Sequence, residues 1–262
     1  MAWVERGGVR LYCERAGTGR PLLFISGTGG DLRDRPNALD SPLVLHFDVL
    51  AYDQRGLGQS DQPPGPYTMA DFADDAAAVM ASVGWSSAAV MGASFGGMVA
   101  QELVLRHPQR VDRLVLACTS SGGAGGSSYP LHELVDLDPA DRADRSLVLL
   151  DTRWADPDFD DPVRRLMAEA RAPARPPDEG SRLQLEARRH HDTYRRLGSI
   201  GCPVLVAGGR YDGIAPEANV RRLAEAIPGA RLALFEGGHI FMYQAPEAYP
   251  EMIDFLAGTD GP

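Results

Sequence analysis

The sequence predicts an α/β fold: a mostly parallel central sheet flanked by helices, with a helical cap inserted into it. Three observations predict it. Short apolar runs of strand length alternate with segments whose apolar residues recur at helical spacing, the pattern of strands joined by crossover helices. The alternation stops near residue 120 and resumes near residue 197. Between them, the run AAVMGASFGGMVA at residues 88–100 passes from strand to helix through one serine, Ser94, with Gly92 and Gly96 two residues to either side.

In chain order, residues 3–5 and 9–14 are strand-like around Gly7-Gly8 and predict an N-terminal hairpin. Residues 21–25 (PLLFI) are continuously apolar, as a strand covered on both faces requires, and end in Ser26-Gly27-Thr28-Gly29-Gly30. Free N–H groups at such a strand end suit an anion, but this is no phosphate loop: it lacks both the lysine and the Gly-x-Gly-x-x-Gly spacing. Residues 47–52 (FDVLAY) give the next strand and lead into Asp53-Gln54-Arg55-Gly56-Leu57-Gly58-Gln59-Ser60, where Asp53 and Arg55 are expected to fix the turn by local hydrogen bonds. Thr68 or Asp71 caps a helix over 69–83, with Phe72, Ala76, Val79 and Met80 on one face. A helix over 97–106 follows Ser94, and residues 113–118 (RLVLAC) make the next strand.

The inserted stretch offers helices only. Asp138-Pro139 and Asp161-Pro162 each read as an N-cap with proline at the first helical position, before helices over 143–150 and 163–170. Residues 172–177 (APARPP) break the pattern, and 181–190 resume it. The expected division is a core of residues 1–120 and 197–262 with a cap of 121–196. The core resumes with a strand at 203–207, a helix at 217–226, a strand at 231–235 and a closing helix near 246–256.

Composition excludes several classes of function. A formal net charge of −10 provides no excess of positive charge for nucleic acid or an anionic membrane. No apolar run reaches membrane-spanning length and MAWVERGG lacks the order of a signal peptide, so the expected address is the cytoplasm. All 26 basic residues are arginine, which rules out a lysine Schiff base or a catalytic lysine. Cys13, Cys118 and Cys202 lie far apart without metal-ligand spacing, so buried thiols are expected, with no disulfide framework, no metal and no cofactor. His107 sits at a helix end, His46 and His132 have no supporting neighbours, and His190 and His191 are expected at the surface.

Chemistry concentrates at three turns. Crowding at a sharp strand-to-helix turn requires glycine beside Ser94, and the helix that leaves it aims N–H groups at any charge developing there. Two further polar turns, at 208–212 (GGRYD) and 236–239 (EGGH), follow the last two strands. Strand ends converge at one edge of a parallel sheet, so Ser94, Asp212 and His239 can meet. Their order fits a nucleophile, its orienting carboxylate and its base.

On these residues the chain resembles the α/β-hydrolases over almost its whole length. Gly92 to Gly96 matches the family's nucleophile elbow, and Asp53 to Ser60 matches its Asp-x-Arg-Gly-x-Gly-x-Ser turn. Asp212 and His239 fall where the family places acid and base, and residues 115–122 (VLACTSSG) hold no alternative acid. The resemblance, nearest to small carboxylesterases and 3-oxoadipate enol-lactonase-like hydrolases, implies a serine hydrolase acting on a small-molecule ester or lactone. It assigns the oxyanion hole to the N–H groups of Thr28 and Phe95, although the family usually has His-Gly where Ser26-Gly27 stands. Trp154 and Phe159 from the cap, with Phe241 and Met242, are expected to wall the pocket. Carbon–carbon bond hydrolases of ring-cleavage products share the triad but commonly follow the histidine with tryptophan, where Ile240 stands here. A cofactor-free oxygenase or a ligand-binding relative is the remaining alternative, while Ser94 argues against epoxide hydrolases and haloalkane dehalogenases, which need a carboxylate at the elbow.

Overall fold

The glycine pair sets the hairpin: β1 (Ala2–Arg6) and β2 (Val9–Gly17) pair antiparallel, with Arg6 opposite Val9. The computed structural model describes residues 2–169 and 178–259. After the hairpin come β3 (Arg20–Ile25), β4 (Phe47–Tyr52), β5 (Ala88–Ala93), β6 (Val111–Ala117), β7 (Val204–Gly209) and β8 (Arg231–Phe235). They form an 8-stranded sheet in the order β1-β2-β4-β3-β5-β6-β7-β8. Pairing is antiparallel as far as β2–β4 and parallel from β4 to β8. The registers place Ile25 beside Gly92, Ala93 beside Ala117, and Ala117 beside Ala207, so the carboxyl ends of four strands share one edge.

The helices, in chain order, are α1 (Met69–Ser82), α2 (Phe95–Arg106), α3 (Pro139–Leu150), α4 (Pro162–Glu169), α5 (Glu179–Arg189), α6 (Glu217–Ala226), the single turn α7 (Phe241–Gln244) and α8 (Ala248–Ala257). Successive strand side chains point to opposite faces, which separates two cores. Leu23, Val90 and Leu116 pack with Phe72, Met80, Leu103 and Leu223 of α1, α2 and α6. Leu22, Val49 and Val115 pack with Leu43, Met252 and Phe255 on the other side. Each such fully buried aliphatic or aromatic side chain contributes about 1.5–3 kcal/mol.

Helix starts follow their caps. Thr68 and Asp71 close a capping box at α1, each side chain accepting from the other's backbone N–H, at 3.1 and 3.0 Å. Asp138 accepts from Ala140 and Asp141, so α3 begins at Pro139, earlier than its apolar spacing indicates. Asp161 accepts from Val163 at 2.7 Å in the same way. The expected break at 172–177 lies outside the described residues. Both ends of the helical stretch lie together: Gly122 bridges Asp192, and the Thr193 N–H donates to Ser121 O at 2.9 Å.

Asp53 fixes its turn locally, accepting from the N–H groups of Leu32 and Gln59 at 2.7 and 2.8 Å. Arg55 does not. It reaches α1 instead, where Nε and Nη2 grip Asp75 at 2.6 and 2.8 Å, with side chains 8% and 0% exposed. Asp75→Ala leaves that buried guanidinium with the Asp71 carboxylate at 3.6 Å and the Tyr67 ring 5.7 Å away. A loss of about 3–5 kcal/mol in urea denaturation is expected, and a loss below about 1 kcal/mol would show that water reaches Arg55 freely.

Candidate active site

Ser94 joins β5 to α2 with φ 55° and ψ −117°, a conformation that costs a non-glycine residue roughly 1–3 kcal/mol. Neighbours enforce it. The Ser94 N–H donates to Ala117 O at 2.9 Å, and its carbonyl accepts from Thr119 Oγ1 at 2.8 Å and Gly97 N–H at 3.0 Å. A Cβ on Gly96 would strike the carbonyl of Ile25, and one on Gly92 would strike that of Gly96. Strand and helix approach so closely here that only glycine fits.

The other two turns arrive as the sheet edge requires. His239 Nε2 lies 2.9 Å from Ser94 Oγ, and His239 Nδ1 lies 2.8 Å from Asp212 Oδ2. The Asp212 side chain is fully buried yet satisfied, because Oδ1 accepts from the N–H groups of Ile214 and Ala215 at 2.7 and 2.8 Å. The carboxylate holds the ring proton on Nδ1 and leaves Nε2 to accept from the serine hydroxyl. Such a chain can draw a proton from Ser94 and stabilise the imidazolium that results.

The last turn of α3 fastens this chain. Leu150 O accepts from His239 N–H at 2.6 Å and Leu149 O accepts from Gly213 N–H at 3.1 Å. Helix C-termini carry unpaired carbonyls, and here two of them hold the turns that carry Asp212 and His239. The helical stretch is therefore part of the site's framework, a link with no side-chain signature in the sequence.

The loop after β3 lies against Ser94: a Cβ on Gly27 would sit 3.3 Å from that of Ser94. Among the described residues, the N–H groups of Thr28 and Phe95 take part in none of the backbone hydrogen bonds of the turns and loops. Two glutamines anchor this loop where Ser26 replaces histidine. Gln54 Nε2 donates to Ser26 O at 2.8 Å, and Gln184 Oε1, on α5, accepts from Gly29 N–H at 2.9 Å. Gln54 sits inside a turn motif and was within reach of sequence reasoning; Gln184, 155 residues from its partner, was not.

A family model for the alpha/beta hydrolase fold matches residues 20–246. The chain belongs to the α/β-hydrolase family. It is 28% identical to a protein of Azorhizobium caulinodans provisionally named carbamate hydrolase RutD, over 97% of both chains. It is 30% identical to a poly(3-hydroxyalkanoate) depolymerase of Ectopseudomonas oleovorans, over 90% of this chain and 84% of that one. The crystal structure of the enol-lactonase from Burkholderia xenovorans LB400 superposes with a TM-score of 0.81 at 27% identity, covering 98% of this chain and 100% of that one.

Beside Ser94 this α/β hydrolase has a cavity of about 610 Å³. Gly27, Thr28, Ser94 and His239 form its floor, and Arg142, Ser146, Leu147 and Leu150 of α3, Leu131, Met167, Ile214, Ile240 and Met242 its walls. Of the four residues expected to wall it, Met242 alone does so. Trp154 is buried at 2% exposure with its indole N–H on Asp161 at 2.9 Å, and Phe241 stacks on Phe235 at 5.1 Å. Phe159 lies under the Arg153 guanidinium, 4.8 Å from it. Large aromatics here hold the framework, and smaller aliphatic side chains face the cavity. Cys118 also borders it, but burial, with Asp212 adding to it, pushes its thiol far above the usual range, so no thiolate forms there. His191 corrects another expectation: His190 is exposed, but His191 is buried.

Proposed function

We propose that this α/β hydrolase cleaves a carboxylic ester or lactone of a small molecule through an acyl-enzyme on Ser94. The observation that carries the reading is the hydrogen-bonded chain Asp212–His239–Ser94 at the floor of a cavity of ordinary ligand size. Ser94 Oγ attacks the carbonyl carbon as its proton passes to His239 Nε2, and Asp212 steadies the imidazolium. The N–H groups of Thr28 and Phe95 hold the oxyanion, and because Phe95 opens α2 the helix dipole reinforces its N–H. His239 returns the proton to the leaving alkoxide, then takes one from the water whose oxygen attacks the acyl carbon, and gives it to Ser94 Oγ as the Oγ–carbon bond breaks and the acid leaves. The enol-lactonase, by its name, acts on a lactone, which favours this reading over carbon–carbon cleavage. Turnover of aryl esters, lactones, carbamates and vinylogous diketones, on wild type beside Ser94→Ala, tests it. Ester or lactone turnover that vanishes in the variant supports it, and turnover of diketones or carbamates alone overturns it.

Arg142 refines the substrate class. Arg142 lines a wall otherwise of aliphatic, sulfur and hydroxyl side chains, and its Nη1 donates to Val135 O at 3.4 Å. A substrate with a carboxylate remote from the scissile bond meets it there. Arg142→Leu should raise KM for a carboxylated ester about tenfold or more and leave a neutral ester of equal length nearly unchanged. Equal effects on both esters would remove Arg142 from substrate recognition.

A further inference from the structure

Four of the eight buried side-chain atoms without a well-formed hydrogen bond among the described residues belong to three residues that line one small cavity: Arg188 Nε, both ring nitrogens of His191, whose ring has only a weak interaction with the Ser120 backbone, and His132 Nδ1. Buried polar atoms are nearly always paired, so this concentration points to a ligand. The cavity, about 210 Å³, lies apart from the one beside Ser94. The segment 130–132 divides them: Leu131 faces the Ser94 cavity, and Pro130 and His132 face this one.

Arg188 is only 5% exposed, and among the described residues no carboxylate pairs with it. Its Nη1 donates to Tyr129 O at 2.8 Å and Nη2 to Ser128 Oγ at 2.7 Å, both neutral acceptors. Two bonds use two of the five N–H donors and none of the charge. Burial accordingly pulls this guanidinium down to about 10. An unpaired buried cation is costly, and a counter-ion offsets that cost where water cannot.

His191 bears on the valence of that counter-ion. Burial, then the charges of Arg196 and Arg188, bring His191 down to about 3 against the opposing pull of the Ser120 backbone, so its ring is neutral and offers hydrogen bonds without charge. Arg189 also borders the cavity, but its side chain is 56% exposed and its Nη1 lies 3.8 Å from Glu186 Oε2, which leaves Arg188 as the buried cation and calls for one negative charge. The planar guanidinium fork matches a carboxylate, and Met98 and Pro130 give an apolar wall for a short chain. At about 30 Å³ per water, the space is that of roughly seven waters, enough for an acid of a few carbons. We propose that this cavity binds a small monocarboxylate, gripped by Arg188, with His191 and His132 completing its hydrogen bonds.

Calorimetric titration of the full chain with sodium propionate at constant ionic strength, with inorganic phosphate in parallel, tests this. A saturable propionate site is expected that Arg188→Met weakens at least about tenfold and Arg142→Leu leaves unchanged, which separates it from any carboxylate binding at Arg142 beside Ser94. Because Ser94→Ala should bind propionate equally well, failure of the catalytic reading and failure of this one are separable. No saturable propionate binding, undiminished binding by Arg188→Met, or tighter binding of phosphate than propionate would each overturn the proposal. Should Arg188→Met not fold, wild-type crystals grown with propionate decide: a carboxylate within hydrogen-bond distance of Arg188 Nε supports the site, and its absence there refutes it.

Discussion

Ser94→Ala should lower turnover of every substrate about a millionfold, the loss seen when the nucleophile of a comparable unit is removed. The change deletes one oxygen, whose hydrogen bond to His239 is 2.9 Å long. Nothing else shifts: the backbone at 94 keeps its bonds to Ala117, Thr119 and Gly97, and alanine tolerates the positive φ no worse than serine. Melting temperature should therefore stay at the wild-type value. Cys118 offers no substitute nucleophile, because its thiol is buried and held protonated. Retention of more than about a hundredth of wild-type turnover would place the nucleophile elsewhere.

Asp212→Asn should cost roughly ten-thousandfold in kcat with folding intact. Its Oδ1 keeps the N–H groups of Ile214 and Ala215, so the turn stays closed. An amide NH2 now faces His239 Nδ1 where a carboxylate oxygen lay at 2.8 Å, which forces the ring proton onto Nε2. That nitrogen can then no longer accept from Ser94. Asp53→Asn should do the opposite. Both Asp53 oxygens accept backbone N–H bonds in a buried turn, so one donor is left unpaired and about 1–3 kcal/mol of stability is lost. The protein that remains folded should keep much of its turnover. Measuring kcat and thermal melting for both separates the roles, and a folded but inactive Asp53→Asn beside an active Asp212→Asn would reverse them.

The sheet and the three turns were legible because their signals are local. An apolar run such as residues 21–25 or 231–235 marks a strand whatever surrounds it, and Ser94 between two glycines marks a turn that only glycine permits. The cavity wall was not legible, because which face of α3 looks inward depends on how that helix lies over the sheet. Trp154 and Phe241 drew attention by size, yet size made them framework: one is pinned by Asp161 and the other stacked on Phe235. The α3 carbonyls that fasten Gly213 and His239 belong to the main chain and have no residue signature. His191 was misplaced because two adjacent histidines at a helix end look solvated, whereas the chain turns one of them inward beneath Arg188.

Labelling with a fluorophosphonate, followed by peptide mapping, tests the central claim most directly. Only a hydroxyl activated by a base and facing an oxyanion site attacks such a reagent readily at neutral pH. A single adduct on the peptide carrying Ser94, formed in wild type and absent after Asp212→Asn over the same interval, is the predicted result. An adduct on another residue, or none on a protein that turns over an ester, would contradict the account.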